Sequence, residues 1–428
     1  MLPGESVASD KIYVGHRGGK ICFLSSHYCQ SDRFQVLETS YPLEAESFND
    51  VSEQYRVWRG QLVHKNYAIR LKDLKIALVG VYKIPCGIAT YAEALWSEQM
   101  KLVKEARIFS EYADVPDEPG VVRCWKRGKP LGELIQAIHD YDPDIVLVQH
   151  EFGIFPDARY WLSFMSAMHR YRTVVTLHSV FRHADKTICE AAIPEIVVHT
   201  NLAKNVLTKE KKIPGKVHVF PHGCFPPKNP ARYWNRYFSD HTIIQFGFGF
   251  RYKGWERAIE AVGQLKEKFP DVFFTGIFSE SVAGPRAHEE YFQELLQKVE
   301  DLKLQDHVGL VRGFQSQEAL EAFLRTNHVA IFPYTNHPDH VVFGSTGAAR
   351  VAMREGIPVV VSNVPLFHDL EGICPRVETV EELCQAIETF FDPKKAQAQV
   401  SLQNQFLTDN SWAEVAKRQL ETFSTLLP

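Results

Sequence analysis

Two series of short apolar runs, each alternating with helical segments, limit the possible folds of this chain more than any other feature. In the first series the runs begin at Lys75, Asp144, Thr173 and Glu195 and read KIALVGVY, DIVLVQHEFG, TVVTLHSV and EIVVHTN. Continuous apolar runs are typical of strands buried on both faces, as in a parallel sheet covered by helices. Helical segments such as ARYWLSFMSAMHRY lie between them. The pattern predicts a parallel α/β sheet over residues 74–225.

A second series follows a proline-rich boundary at residues 225–240. Its strand candidates read HTIIQFGFGF, VFFTGIF, HVGLVRGF, HVAIFPY and IPVVVSN, with helices such as WERAIEAVGQLKEKF between them. The last segment, SWAEVAKRQLETFSTLL, is an amphipathic helix with Ser411 as its expected N-cap. We therefore predict an α/β protein with four regions: a small β-rich extension at 1–72, two Rossmann-like domains at 73–228 and 229–408, and a C-terminal helix at 409–428 that packs back on the first domain.

Composition and charge narrow the functional classes. The net charge of -4 over 428 residues provides no overall basic field for nucleic acid or an anionic membrane. The eight cysteines form no C-x-x-C pair and no zinc-like spacing, so we expect reduced thiols. The sequence starts without a signal-peptide pattern, and no run reaches the roughly 18–20 apolar residues of a spanning helix. We expect a cytoplasmic protein without a transmembrane segment, and its oligomeric state stays open.

Several candidate site residues follow strands of the first domain. Ligands of open parallel sheets bind beyond the carboxyl ends of the strands, where the strand order reverses. Gly87 lies in the turn after the first strand, and Gln149, His150 and Glu151 end the strand DIVLV. His178 follows TVVTL. An imidazole and a carboxylate at such an edge suit acid–base or hydroxyl-binding work, although a turn glycine and a buried histidine would look the same in sequence.

The second domain offers positive charge and a helix start at the corresponding edge. Arg251 and Lys253 lie between its first strand and first helix, where cations suit an anionic leaving group. Ser345, Thr346 and Gly347 open a later helix, whose first N–H groups can bind an anion. Solvated surface charges and simple N-capping are the alternative interpretations of these two segments.

Taken in order, these segments resemble the family 4 glycosyltransferases, and most closely a branch with Q-H-E-[FY]-G-I-F, T-L-H and P-Y motifs. Here the motifs read QHEFGIF from Gln149, TLH ending at His178, and Pro333-Tyr334. The family's V-x-V-[IF]-P-H-G segment is VHVFPHG, its K-G pair is Lys253-Gly254, and its closing S-W helix begins at Ser411. The resemblance covers about residues 74–425.

This resemblance implies a GT-B fold, in which two Rossmann-like domains face a cleft, and a retaining hexosyltransferase that uses a UDP- or GDP-sugar. The first domain would bind the acceptor and the second the donor. His178, Glu151 and His150 would be the catalytic candidates, and Gly87 and Gln149 would line the acceptor side of the cleft. The donor would be held by Arg251, Lys253, Tyr334 and residues 345–347. Neither a metal nor another cofactor is expected.

One departure from the family pattern concerns two glutamates eight residues apart. The matching positions are Phe343 and Val351, as in a related branch that also lacks the pair. Two alternatives therefore stay open: a GT-B epimerase or phosphorylase, and an inactive GT-B scaffold that binds sugar or protein. The nucleotide base, the sugar, the acceptor and the role of residues 1–72 are not encoded in any pattern that we can interpret.

Overall fold

The computed structural model describes residues 12–17, 20–25, 71–116, 118–182, 193–228, 241–280, 285–336 and 341–427. Residues 1–69 and 70–428 form two compact units. In the first unit, strands β1 (Ile12–Arg17) and β2 (Lys20–Ser25) pair antiparallel. The other residues of the predicted β-rich extension lie outside the described ranges, so the extension stays a prediction.

The second unit begins with the first predicted parallel sheet. In the described part of the chain this sheet has seven strands in the order β10-β9-β7-β6-β3-β4-β5. Its elements, with the short strand β8 that follows β7, are β3 (Lys75–Gly80), α1 (Gly87–Leu102), β4 (Glu105–Glu111), β5 (Val121–Trp125), α2 (Gly132–Tyr141), β6 (Ile145–His150), α3 (Ala158–Ala167), β7 (Arg172–Leu177), β8 (Ser179–Val180), β9 (Glu195–Val198), α4 (Asn201–Asn205) and β10 (Lys216–Val219).

The second predicted sheet is also parallel, with six described strands in the order β13-β12-β11-β14-β16-β17. Its elements, with the short strand β15, are β11 (Thr242–Phe248), α5 (Trp255–Leu265), β12 (Phe273–Ser279), α6 (Pro285–Asp301), β13 (Val308–Arg312), α7 (Gln317–Arg325), β14 (Val329–Phe332), β15 (Phe343–Gly344), α8 (Gly347–Arg354), β16 (Val359–Ser362), β17 (Arg376–Val377), α9 (Val380–Phe390), α10 (Pro393–Asp409) and α11 (Trp412–Ser424).

Both sheets are buried on two faces, which explains the continuous apolar runs in the sequence. In β3, the side chains from Ile76 to Val79 alternate between two apolar clusters, one on each side of the first sheet. Two further clusters cover the faces of the second sheet. The predicted α/β class with two parallel sheets is therefore confirmed. None of the helices described is long and apolar enough to span a membrane.

The chain returns to the first sheet through its last helix. Ser411 caps α11 by accepting a hydrogen bond from the backbone N–H of Glu414, as its sequence predicts. Trp412, Leu420 and Phe423 on this helix pack in one cluster with Tyr91 of α1. Burial of this apolar stripe stabilises the contact between the C-terminal segment and the first sheet.

The strand order reverses once in each sheet. In the first sheet the chain continues from β3 to β4 on one side and places β6 on the other. In the second sheet β11 has β12 on one side and β14 on the other. The residues that follow β3, β6, β11 and β14 are therefore those that the fold favours for ligand binding.

Candidate functional site

The edge of the first sheet carries a cluster of imidazole and aromatic rings. His178 follows β7, His199 follows β9 and His222 follows β10. The ring of Tyr91 lies between them, with ring centroids 4.6, 5.4 and 5.1 Å from His178, His199 and His222 respectively. Trp412 closes the group 4.8 Å from Tyr91. We call these five residues the histidine cluster. Their packed rings form a surface that carries the imidazole nitrogen atoms.

Hydrogen bonds fix the orientation of the three imidazoles. The side chain of His178 bonds through Nε2 to Oε1 of Gln149 at 3.0 Å, so Nε2 carries the proton and Nδ1 keeps a lone pair. In His199 and His222 the Nδ1–H donates to a backbone carbonyl, at 3.0 and 2.7 Å. Their Nε2 atoms are therefore acceptors in the neutral rings.

The histidine cluster is uncharged at neutral pH. Burial lowers the pKa of His199 to about 4 and holds the pKa of His178 and of His222 well below the usual histidine range. The neighbouring histidines lower the pKa of His178 further, and Arg350 does the same for His222. Neutral imidazoles exchange hydrogen bonds with hydroxyl groups but do not attract phosphate by charge.

His150 and Glu151, the other two residues of the predicted Gln-His-Glu segment, differ in their exposure. His150 is 1% exposed, and its ring packs against Phe152, Phe155 and Trp161 at centroid distances of 5.1, 5.8 and 4.6 Å. A substrate could contact this ring only if that packing rearranged. Glu151 lies at the surface of the cleft, where Ser179 hydrogen-bonds its carboxylate and burial raises its pKa.

Gly87 occupies the start of α1 with open space around its missing side chain. A Cβ built at this position would meet no atom within 4 Å, and its φ angle is not in the left-handed region. Neither crowding nor backbone strain therefore requires glycine here. The open space is consistent with the close approach of a ligand to the first turn of α1.

At the edge of the second sheet, Lys253 and Tyr334 meet at the point where the strand order reverses. The ammonium of Lys253 donates a hydrogen bond to the Tyr334 hydroxyl at 2.6 Å and lies 4.0 Å from the centre of its ring. Lys253 is 8% exposed, and burial lowers its pKa to about 7. A lysine with this pKa gains its full charge when an anion binds beside it.

Arg251, the second predicted donor-site cation, is engaged elsewhere. Its guanidinium makes two hydrogen bonds to Glu294 of α6, at 2.7 and 2.6 Å, and lies 4.5 Å from the ring centre of Tyr291. The side chains of Arg251 and Glu294 are more than half exposed. Exposed pairs of this kind contribute little free energy, so a diphosphate could compete for the guanidinium.

The segment 345–347, called the donor loop below, is held by a buried ion pair. Thr346 caps α8 by accepting from the backbone N–H of Ala348, as the capping alternative predicts. Ser345 donates to Asp369 at 2.7 Å, and Arg350 bonds both to Asp369 and to the Thr346 carbonyl. The loop stays partly exposed, and apart from that of Ala348 the first N–H groups of α8 are left to bind an acceptor from outside the helix.

The two edges meet at several points. A Cβ at Gly347 would lie 3.7 Å from Nε2 of His222, and a Cβ at Gly344 would lie 2.5 Å from the carbonyl oxygen of His178. Tyr252 lies near Glu151, whose charge adds to burial in raising the tyrosine pKa to about 12. The structure thus brings His178, Glu151 and the donor loop to one cleft. In the described ranges no three His, Cys, Asp or Glu side chains could hold a metal ion together.

Sequence reasoning passed over three residues of this site. His199 and His222 each stand directly or nearly directly after a strand, so the rule that selected His178 could have selected them too. Arg350 lies within α8, and its contact with Asp369 spans 19 residues of sequence. No local pattern marks that pair.

Comparison with known proteins assigns the fold. Residues 235–419 match the family model described as "Glycosyl transferases group 1". No curated protein matches the chain in sequence. Sucrose-phosphate synthase from Thermosynechococcus elongatus aligns over 82% of this chain and 99% of its own, with a TM-score of 0.63 and 16% identity.

Two further solved structures are similar to a comparable extent. One is an alpha,alpha-trehalose-phosphate synthase (UDP-forming) from Burkholderia xenovorans in complex with glucose-6-phosphate, with a TM-score of 0.65, 12% identity, and coverage of 82% of this chain and 99% of that chain. The other is HepE of Anabaena in complex with UDP and glucose, with a TM-score of 0.60, 16% identity, and coverage of 82% and 100%.

The fold is therefore the GT-B fold of nucleotide-sugar-dependent glycosyltransferases. Residues 235–419 carry the domain described as "Glycosyl transferases group 1", in agreement with the family 4 motifs of the sequence.

Proposed function

We propose that this protein is a retaining hexosyltransferase that moves a sugar from a UDP- or GDP-sugar to an acceptor hydroxyl. The observation that carries the proposal is the contrast across the cleft. Lys253, Tyr334 and the start of α8 offer positive charge and N–H donors on one side, whereas uncharged His178 faces them from the other. A nucleotide-sugar has the same division between an anionic diphosphate and a neutral sugar.

In this proposal Lys253 and the donor loop stabilise the leaving diphosphate. Negative charge grows on the diphosphate as the bond to the sugar breaks, so fixed positive groups act more strongly in the transition state than in the ground state. Tyr334 orients the Lys253 ammonium through its 2.6 Å hydrogen bond. Arg251 joins the diphosphate by leaving Glu294, and no metal is needed for the charge stabilisation.

The first domain holds the sugar and the acceptor. Gln149 fixes the His178 ring so that Nδ1 can accept a hydrogen bond from a sugar hydroxyl. Glu151, partly exposed in the cleft, is the candidate to bind the acceptor hydroxyl, and His150 supports the strand end behind it. Gly87 leaves room at the first turn of α1 for the sugar or the acceptor.

A screen with nucleotide-sugars in the presence of a chelator tests this function. A ligand at about 100 times its Kd stabilises a protein by about 2.7 kcal/mol, which a thermal-shift measurement detects. We expect UDP- or GDP-sugars to raise the melting temperature and to release sugar slowly, and proton NMR of the first sugar formed should show the donor's anomeric configuration. Stabilisation without release or transfer would favour the inactive scaffold. Loss of activity on chelation would contradict the proposal that no metal is needed.

A further inference from the structure

Two short strands connect the two domains beside the site. In the antiparallel pair of β8 and β15, Phe343 lies opposite Val180 and Gly344 lies opposite Ser179. We call these four residues the clasp. Strand β8 follows β7 of the first sheet, and β15 precedes α8 of the second domain. The clasp therefore joins backbone segments that are remote in sequence.

Phe343 belongs to the second domain, but its side chain packs in the core of the first. It is 5% exposed and belongs to the apolar cluster of the first sheet, together with Val180. The guanidinium of Arg182 lies 4.8 Å from the centre of its ring and is itself held by Glu210 at 2.7 Å. An apolar side chain buried in this way anchors the segment that carries it.

Each strand of the clasp leads directly to a residue of the proposed site. On the first-domain side, His178 precedes Ser179, and the Ser179 hydroxyl bonds Glu151. On the second-domain side, Gly344 precedes the donor loop. A Cβ at Gly344 would lie only 2.5 Å from the His178 carbonyl oxygen, so glycine allows the close approach of the two segments.

The donor loop keeps its own shape through other contacts. Ser345 and Arg350 both bond Asp369, and Arg350 also bonds the Thr346 carbonyl at 2.8 Å. All of these partners lie in the second domain. Phe343 is thus not needed to shape the loop, but it links the loop to the first domain.

We propose that Phe343 is a positioning residue, which anchors the donor loop in the core of the first domain and so fixes the loop's distance from His178. The inference rests on the proposed function, in which both groups act on one donor molecule. It also gives a role to the phenylalanine that stands where the family pattern has a glutamate. The position provides an apolar anchor instead of a carboxylate.

The test compares Phe343→Ala with Phe343→Leu and with Phe390→Ala in the full chain. Phe390 is 4% exposed in the second domain's own core, so its truncation is a matched control for the loss of a buried ring. We expect Phe343→Ala to bind UDP or GDP within about threefold of the wild type while kcat falls roughly 100-fold, the cost of a misplacement of about 1 Å. Phe343→Leu should recover most of the rate, and Phe390→Ala should keep it.

Hydrogen exchange of the same variants separates this inference from the proposed function. Peptides covering residues 176–182 and 341–347 should exchange faster than in the wild type in Phe343→Ala, and at the wild-type rate in Phe390→Ala. Unchanged exchange in both segments, or a kcat of Phe343→Ala within twofold of the control, would overturn the anchoring role. If the wild type binds and turns over no nucleotide-sugar, the proposed function fails, and the exchange data still decide whether Phe343 anchors the loop.

Discussion

The two edges that face the cleft are built from different chemistry. The first-domain edge presents three histidines that burial keeps uncharged, packed around Tyr91. The second-domain edge presents Lys253 and the start of α8. The same fold thus provides one surface suited to hydroxyl groups and another suited to anions. Burial lowers the pKa on both sides, but it leaves the imidazoles uncharged at neutral pH and Lys253 with a pKa of about 7, so the residue types set the division between the two halves.

The largest test of this division is the removal of the Lys253 ammonium. Lys253→Ala should lower kcat/KM roughly 10²- to 10³-fold, as does the loss of one group that stabilises a developing anion. Circular dichroism and the melting temperature check that the fold is kept. Tyr334→Phe is the control, since it keeps the lysine but removes the hydroxyl that the lysine bonds. Its kcat/KM should fall less than that of Lys253→Ala. A Lys253→Ala variant with wild-type kcat/KM would show that the lysine charge does not act on the diphosphate.

A smaller effect is expected from the neutral half. His178→Ala removes one hydrogen bond to a sugar hydroxyl, worth about 1–3 kcal/mol when its loss leaves a buried group unpaired, or roughly 5- to 150-fold in kcat/KM. Steady-state kinetics with the identified donor measure it. Gln149→Leu, which frees the imidazole without removing it, should fall between His178→Ala and the wild type. If His178→Ala weakened the binding of the free nucleotide as much as it lowered the rate of transfer, the division into a neutral and a charged half would be contradicted.

The pH dependence of nucleotide binding examines the charged half alone. Lys253 has a pKa of about 7 in the free protein, and a bound diphosphate favours its charged form and so raises that pKa. The Kd for UDP or GDP should therefore rise about tenfold per pH unit above pH 7, until the raised pKa is reached. Calorimetric titrations from pH 6 to 9 measure this slope. A slope that persists unchanged in Lys253→Met would assign the proton to another group.

The smallest expected effect concerns the ion pair that occupies Arg251. Glu294→Gln weakens the two hydrogen bonds that hold the guanidinium, so it should tighten nucleotide binding by about two- to fivefold if Arg251 is a diphosphate ligand. Arg251→Ala should weaken binding, and the double variant should resemble Arg251→Ala. Titrations of the three variants form a double-mutant cycle. Independent, additive effects would leave Arg251 as a surface cation.

The sequence predicted the sheets well where strands are buried on both faces. KIALVG and DIVLVQH read as continuous apolar runs because β3 and β6 lie in the middle of the first sheet. Strands β4 and β5 were not predicted. Glu105 and Arg107 interrupt the apolar pattern of β4, and three of the five residues of β5, at the sheet edge, are partly exposed.

The site could be predicted only in part, for a related reason. Residues next to a strand, such as His178 and Lys253, follow from the position of that strand and the general rule for parallel sheets. Contacts between remote segments do not. The Arg251–Glu294 pair spans 43 residues, and the Lys253–Tyr334 bond spans 81. The clasp contains two strands of two residues each, too short to form a pattern.

One titration tests directly whether the nucleotide binds to the second-domain edge independently of the histidines. Calorimetric titration of the nucleotide identified in the donor screen should be carried out with the wild type, Lys253→Ala and His178→Ala at pH 7 and without metal. We expect Lys253→Ala to lose at least tenfold in affinity, because the removal of a charged hydrogen-bond partner costs about 1.5–3 kcal/mol, whereas His178→Ala should bind within about twofold of the wild type. Equal losses of affinity in the two variants, or a loss confined to His178→Ala, would contradict independent binding at the second-domain edge.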